Sequence, residues 1–253
     1  NIQVAASTDG YIRETQAYTG GVPDQAGVAA LLTAQIEHLG ICPPKLIYDQ
    51  AAGAGKTRAD VERTSAGKTQ LVAKLPPDNR CSVRFGPYDF QLAENGQELI
   101  CPQGQRTATA YLNGSADGRA FVFPITQCWQ GPPPAHWQNA DLALRCPLWA
   151  QCRAEREGPR AKRAVFISAY RDQVLAARSY NQTPAFQLEM QQRPLIERII
   201  FELTHYFGAR HCRRRGLSNA DWQAKMCTMA YNLKRFMRQL GSANRPSCPR
   251  TVA

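Results

Sequence analysis

The pattern of apolar and polar residues near the start of the chain predicts a β-hairpin followed by a helix. Residues 2–19 have the pattern of two strands joined by a turn: the short run 4–7 precedes an Asp9-Gly10 turn, and apolar and polar side chains alternate over 11–19, which together are a strong hairpin signal. Over residues 25–39, apolar side chains recur at helical spacing, Asp24 can cap the helix, and Gly40 can end it.

Two short apolar runs predict further strands. They cover residues 45–48 and 69–75, and a short helix is predicted between them near residues 58–64. A strand pair followed by alternating helix and strand predicts an α/β layer built on a mixed sheet. We therefore assign residues 1–77 to the first part of an α/β domain.

The middle and the end of the chain differ in character. Residues 78–165 contain short β-like segments, such as 84–92, separated by turns, which favours a β-rich insertion. Residues 166–253 are mostly helical in pattern, which favours a helical completion of the α/β domain. The last helix is predicted to begin at Ser218 and to bury this stripe in the core: Trp222, Met226, Met229, Leu233, Phe236, Met237 and Leu240.

The charge of the chain favours a polyanionic partner. Its 253 residues contain 31 Lys and Arg against 20 Asp and Glu, a net charge of +11. Nucleic acid is the commonest partner of so basic a chain. No apolar run reaches the roughly 20 residues that a membrane span requires, and the first residues are not a secretory signal. With nine Cys and no export signal, we expect a cytoplasmic protein with free thiols or a metal site.

Two carboxylates are candidates for chemistry. Asp49 follows the apolar run 45–48, at the carboxyl end of a predicted strand, where open α/β sheets place ligand-binding residues. Taken alone, such an Asp is more often a turn or helix-cap residue. Glu197 lies four residues after Arg193, at the border of the apolar face of a predicted helix, so it can point into a cleft. A surface ion pair between these two residues is the alternative.

A basic segment follows the helix that carries Glu197. Arg210, Arg213, Arg214 and Arg215 place four guanidinium groups within six residues. A planar guanidinium binds phosphate through two hydrogen bonds, so these residues are candidate contacts for a nucleic-acid backbone. Their position would bring that backbone near Glu197.

These residues resemble the C-terminal part of insertion-sequence DDE transposases. The shared features are Arg193 four residues before Glu197, then Arg215-Gly216-Leu217, then a helix with Asn232-Leu233-Lys234-Arg235. The front of the chain, a strand pair, a helix and a strand ending at Asp49, is similar to the family as well. The middle segment resembles the Cys-bearing insertion of one branch, so the resemblance covers nearly the whole chain.

The resemblance implies a ribonuclease-H-like fold and an enzyme that cleaves DNA and transfers strands at transposon ends with two Mg²⁺ ions. It implies that Asp49 and Glu197 ligate the metal, and that Arg193 orients Glu197 or contacts the scissile phosphate. It also implies that Lys234 and Arg235 join the basic segment in binding DNA. We expect a homodimer that acts on the terminal repeats of its element.

One expected acidic residue is missing from this pattern. The first catalytic Asp of the family lies upstream of the strand with which this chain begins, and Asp9 is better explained by its hairpin turn. We therefore interpret the chain as the C-terminal two-thirds of a transposase and expect it to be inactive alone. A non-catalytic DNA-binding protein derived from a transposase is the alternative.

Two other patterns have weaker interpretations. Cys101, Cys128, Cys146 and Cys152 fall in the middle segment and could bind zinc, but their irregular spacing and the lack of a Cys-x-x-Cys pair favour buried thiols. Residues 53–57 suggest a phosphate-binding loop, but the motif requires Gly where the chain has Gln50. A nucleotide-binding enzyme is therefore a less favoured alternative.

Overall fold

The computed structural model describes residues 1–76, 84–112, 117–130, 142–153 and 162–243, which divide into two compact units. The outer unit comprises residues 1–76 and 173–243, and the middle unit comprises the described residues from 84 to 172. The domain boundary predicted after residue 77 lies outside the described residues.

The strands are β1 (Ile2–Ala6), β2 (Ile12–Ala17), β3 (Lys45–Ile47), β4 (Gln70–Val72), β5 (Gln91–Leu92), β6 (Leu99–Ile100), β7 (Arg106–Thr107), β8 (Ala110–Leu112), β9 (Gly118–Pro124) and β10 (Lys162–Ser168). The helices are α1 (Val28–Leu39), α2 (Gly55–Thr64), α3 (Trp149–Cys152), α4 (Arg171–Tyr180), α5 (Pro184–Met190), α6 (Arg193–Tyr206) and α7 (Leu217–Ala243).

Two separate strand pairs form the sheets of the outer unit. β1 and β2 pair antiparallel around a turn in which Gly10 has a φ of 79°, so the predicted hairpin is confirmed. β3 and β4 pair parallel on either side of α2. Among the described strands, the two pairs are not hydrogen-bonded to each other. The mixed α/β class with C-terminal helices is confirmed, whereas the described strands do not form the single mixed sheet that we expected.

The first apolar cluster of the outer unit packs α1 against α2 and β4. Val28 and Leu32 of α1 contact Val61 and Leu71 in this cluster. α1 ends where predicted, because Gly40 adopts a left-handed backbone conformation.

The predicted start of α1 is wrong. Asp24 belongs to a 3-10 turn (Asp24–Gly27) that precedes α1. The residue that caps α1 is Gly27, which has no side chain to accept a hydrogen bond. The helix therefore begins three residues later than the sequence indicated.

The second cluster joins α6 and α7 to the hairpin. Its buried members are Ile12, Ile199, Leu203, Cys227 and Tyr231. Polar side chains of α7 also bind the outer edge of β2. Asn232 accepts the N–H of Ile12 at 3.0 Å and donates to its carbonyl at 2.8 Å. The helix thus takes the place of a neighbouring strand along this edge.

The stripe of α7 that was predicted to be core is exposed, from Trp222, which is 67% exposed, to Leu240. The buried face carries Ala224, Cys227 and Tyr231 instead. The reason is that small and polar side chains let α7 lie close to β2, which turns the large apolar side chains outward. α7 is long, yet among the described residues no helix is both long and apolar enough to cross a membrane.

Two three-stranded antiparallel sheets form the middle unit, in the orders β5–β6–β7 and β8–β9–β10. Their shared core contains Phe90, Leu99, Phe121, Phe123, Val165 and Ile167. The predicted β-rich character of the segment is confirmed. The stretch 84–92 is an exception, because it forms a strand only at Gln91–Leu92.

Candidate nucleic-acid interface and acidic residues

Asp49 lies two residues beyond the end of β3, and its carboxylate caps the 3-10 turn Gln50–Gly53. Its Oδ1 accepts the N–H of Ala51 at 3.0 Å. Burial raises the pKa of the neighbouring Tyr48 to about 12, and the carboxylates of Asp49 and Asp24 contribute to the rise. The structure therefore brings Asp24 near the same phenol as Asp49, a proximity that helical spacing could not indicate.

The turn after Asp49 is held by a buried arginine that the sequence did not single out. The guanidinium of Arg58 donates to the carbonyls of Gly53 at 3.1 Å, Leu71 at 2.8 Å and Ala73 at 2.6 Å. Burial lowers the pKa of Arg58. These bonds tie α2 to β4 and fix the turn that Asp49 caps.

Gly53 has a packing role in the same turn. A Cβ atom on Gly53 would lie 1.8 Å from the carbonyl oxygen of Lys74, a distance that no side chain tolerates. The close approach of the backbone therefore explains why residue 53 is a glycine. No bound nucleotide is needed to explain this part of the phosphate-loop-like pattern.

Arg193 and Glu197 form an ion pair at the start of α6. Arg193 Nη2 lies 3.2 Å from Glu197 Oε1, and the two side chains are 41% and 61% exposed. Ile199, on the other side of the helix, is fully buried. Glu197 therefore faces solvent, and the present arrangement is that of a surface ion pair, which contributes little to stability.

The acidic candidates are not part of a formed metal site. Among the described residues, no group of three or more His, Cys, Asp or Glu is arranged to hold a metal ion. Neither Asp49 nor Glu197 therefore belongs to such a group in these parts of the chain.

The basic segment forms an exposed loop between α6 and α7, which we call the arginine loop (residues 208–216). Its four arginines, Arg210, Arg213, Arg214 and Arg215, are all exposed. The sequence from 207 to 220 contains no Asp or Glu, so their charges add without internal neutralisation. The loop is therefore a concentrated positive surface.

One side chain of α7 holds the arginine loop. Gln223 accepts the N–H of Arg213 at 2.9 Å and donates to the carbonyls of Gly208 at 2.9 Å and His211 at 2.7 Å. A second bond runs from Asn219 to the carbonyl of Arg215 at 2.7 Å. The backbone of the loop is therefore organised while its guanidinium groups remain free to point outward.

An open cleft of about 680 Å³ lies beside the loop. Arg213, Arg214 and Trp222 line it, and the indole of Trp222 is largely exposed. Positive charge beside an exposed aromatic ring is a combination that suits nucleic acid, because phosphates bind the first and bases stack on the second. The sequence pattern assigned Trp222 to the core and so missed this feature.

Lys234 and Arg235 have contacts of their own within the outer unit. The Lys234 ammonium lies 5.8 Å and 5.2 Å from the ring centroids of Tyr206 and Phe207. Arg235 Nε donates to the carbonyl of Asp9 at 2.8 Å. Arg235 therefore fastens α7 to the hairpin turn, in addition to any role toward a ligand.

The four cysteines of the middle unit, Cys101, Cys128, Cys146 and Cys152, are free thiols that line one cavity. Burial raises the pKa of Cys128 and of Cys152, and nearby arginines partly oppose the rise. As placed, no three of these thiols are grouped at metal-binding distance. The fold thus brings together side chains that are up to 51 residues apart in the sequence, from Cys101 to Cys152.

Comparison with known proteins gives one family. Residues 138–237 match the family model described as "Transposase DDE domain". The matched segment contains Arg193, Glu197, the arginine loop, Lys234 and Arg235, whereas Asp49 lies outside it. No curated protein and no solved structure matches the chain significantly. This match supports the resemblance seen in the residues: over residues 138–237, the chain is similar to the DDE domain of transposases.

Proposed function

We propose that this protein binds the terminal repeats of a transposon through the arginine loop and does not cleave DNA by itself. The observation that carries the proposal is the exposed, backbone-anchored cluster of four arginines inside the segment that matches the transposase domain. Binding of DNA is what the family implies. The ends of a transposon as the specific target are our proposal.

The physical argument for DNA begins with preorganisation. A flexible loop would lose conformational entropy on binding, and the bonds from Gln223 and Asn219 remove part of that cost beforehand. The guanidinium groups can then each take a phosphate through paired hydrogen bonds. Trp222, at the edge of the same cleft, is positioned to stack on an unpaired base or to cover a sugar.

The proposed catalytic part is incomplete. Enzymes of this family use divalent metal ions, and we propose Mg²⁺, with Asp49 and Glu197 as two of its carboxylate ligands and Arg193 as the residue that orients Glu197. Among the described residues, no group of three metal-binding side chains includes Asp49 or Glu197, and we propose that a further carboxylate is required. A ribonuclease-H-like sheet would likewise need another strand to join the two strand pairs. We therefore expect no cleavage by this chain alone.

A homodimer is the proposed working form. The exposed stripe of α7 has apolar residues separated alternately by three and four positions, the spacing of a coiled-coil seam: Met226, Met229, Leu233, Phe236 and Leu240. This spacing supports the same helix of a second copy as the partner. Light scattering is expected to give twice the mass of one chain, and a single-chain mass at tens of micromolar, on the order of a weak interface, would contradict the dimer.

The DNA-binding proposal is tested by removing charge from the loop. The double variant Arg213→Ala/Arg214→Ala should lower the affinity for duplex DNA about 10- to 100-fold at fixed moderate salt, if each lost contact contributes about 0.7 to 1.4 kcal/mol. The matched control is Arg63→Ala/Lys68→Ala, which removes the same charge from exposed positions near the end of α2. Equal losses in both variants would contradict a role for the arginine loop, because net charge alone would then explain binding.

A non-catalytic DNA-binding protein is the second candidate. It is favoured by the exposed Arg193–Glu197 pair and by the lack of a group of three metal-binding side chains in the parts of the chain that the structure describes. A plasmid-nicking assay with Mg²⁺ or Mn²⁺ tests whether the protein cleaves DNA. Cleavage that disappears in both Asp49→Asn and Glu197→Gln would establish an active enzyme and overturn our expectation of inactivity. Binding without cleavage agrees with both candidates.

A further inference from the structure

The cysteine-lined cavity of the middle unit has a volume of about 150 Å³. Cys101, Cys128, Cys146 and Cys152 reach it from three separate pieces of local structure. Sequence spacing alone favoured isolated buried thiols. The fold changes this interpretation, because it places all four sulfur atoms around one space.

Two of the cysteines face each other across an antiparallel bridge. Trp129 pairs with Arg145, and the N–H of Cys146 donates to the carbonyl of Cys128 at 2.9 Å. This bond places the backbones of Cys128 and Cys146 side by side. Cys152 follows on α3, whose first turn is bonded to the carbonyl of Cys146.

The fourth cysteine, Cys101, lies in a tight turn whose backbone donates a hydrogen bond to its sulfur. The N–H of Gly104 donates to the carbonyl of Cys101 at 2.8 Å, and the N–H of Gln105 donates to its Sγ at 3.3 Å. Gly104 has a φ of 87°, which the turn requires.

Two arginines and two buried donors lie among the residues that line the cavity. Arg153, which is 2% exposed, and the half-buried Arg163 line it, and among the described residues of its lining there is no Asp or Glu. Two residues of the lining, Arg163 and Trp149, have a buried N–H group (Nε and Nε1) with no hydrogen-bond acceptor in the described chain. Buried donors without an acceptor are costly.

We infer that Cys101, Cys128, Cys146 and Cys152 bind a structural zinc ion. Zinc favours four tetrahedral thiolate ligands, and such a centre carries two net negative charges, which the guanidinium groups of Arg153 and Arg163 balance. Each thiol loses its proton to solvent when Zn²⁺ binds, and no electron is transferred. The side chains must rotate toward one another to close the site, since no three of them are grouped at metal distance as placed. The ion joins the Cys101 turn, the bridge and α3 into one element.

The test measures metal on the full chain, purified without a metal-affinity tag. We expect about one zinc per chain in the wild-type protein and less than about 0.2 in Cys128→Ser/Cys146→Ser. The matched control, Cys42→Ser/Cys212→Ser, changes two cysteines of the outer unit and should keep the zinc. Zinc-free wild-type protein that also fails to take up added Zn²⁺ would overturn the inference, as would equal zinc in all three proteins.

A second measurement needs no variant and so does not depend on how well a variant folds. Replacement by Co²⁺ in the wild-type protein should give the intense visible absorption of tetrahedral cobalt bound by thiolates. Weak octahedral absorption, or a Cys128–Cys146 disulfide found by mass spectrometry, would contradict the site. Neither result depends on DNA binding, so the inference stands or fails independently of the proposed function.

Discussion

The role of Gln223 in organising the arginine loop leads to a quantitative prediction. Gln223→Leu keeps the size of the side chain but removes all three of its hydrogen bonds, to Arg213, Gly208 and His211. An intramolecular hydrogen bond contributes about 0.5–1.5 kcal/mol, and water can replace part of each bond at an exposed loop. We therefore expect the three lost bonds together to cost the ordered loop about 1–2 kcal/mol of stability, after allowing for the water that replaces part of each bond.

The loss should appear in two measurements. Trypsin should cleave the variant faster within residues 210–215. The arginines there are already exposed, but the backbone must open locally to enter the protease, and a loosened loop opens more often. DNA affinity should fall about five- to tenfold, since the loop must then be ordered on binding at a cost near 1–1.4 kcal/mol. The salt dependence of binding should stay unchanged, because every arginine is still present to contact phosphate.

Gln70→Leu is the matched control, since it makes the same substitution at an exposed glutamine of β4. It should leave both the tryptic pattern and the DNA affinity as in the wild type. Unchanged cleavage and unchanged affinity in Gln223→Leu would refute the reasoning, because the three bonds would then have no effect on the loop.

Three further predictions concern the outer unit, each measured by chemical denaturation. Arg58→Met leaves three carbonyls without their donor and should lower the free energy of unfolding by about 3 kcal/mol or more. The control Arg63→Met, at an exposed position, should lower it by less than about 0.5 kcal/mol. Gly53→Ala should lower the free energy of unfolding by about 2–3 kcal/mol, because the new Cβ would meet a backbone oxygen. A loss below about 1 kcal/mol would contradict the close packing. Burial raises the pKa of Glu189, but hydrogen bonds from Lys45 and Tyr180 and the charge of Lys45 outweigh it, so the folded pKa lies below the ordinary 4.5. A lowered folded pKa contributes stability that is present above pH 4.5 and lost as the pH falls through the folded value. Glu189→Gln should therefore flatten the acid side of the stability profile, and an unchanged acid slope would contradict this.

The sequence predicted elements whose signals are local. The hairpin around Gly10 and the end of α1 at Gly40 follow from backbone conformations that glycine favours, and both are confirmed. The helix around Glu197 follows from apolar periodicity, and Ile199 is buried on its inner face as that pattern requires.

The sequence could not predict features that depend on what a face packs against. The stripe of α7 has the periodicity of a core face, but Asn232 and its neighbours bind the edge of β2 and turn Trp222 outward. Arg58 has the sequence appearance of a surface residue, and only the nearby carbonyls make it a buried donor. The cavity of the four cysteines joins residues from distant positions, so no spacing rule could have found it.

The most direct test of DNA binding by the arginine loop is the salt dependence of affinity. The slope of log K against log salt counts the phosphates that the protein neutralises, at about 0.9 per contact on duplex DNA. Arg213→Ala/Arg214→Ala should reduce that slope by nearly 2 relative to the wild type, if each arginine contacts one phosphate. A slope equal to that of the wild type would show that these residues do not contact the backbone and would contradict the account.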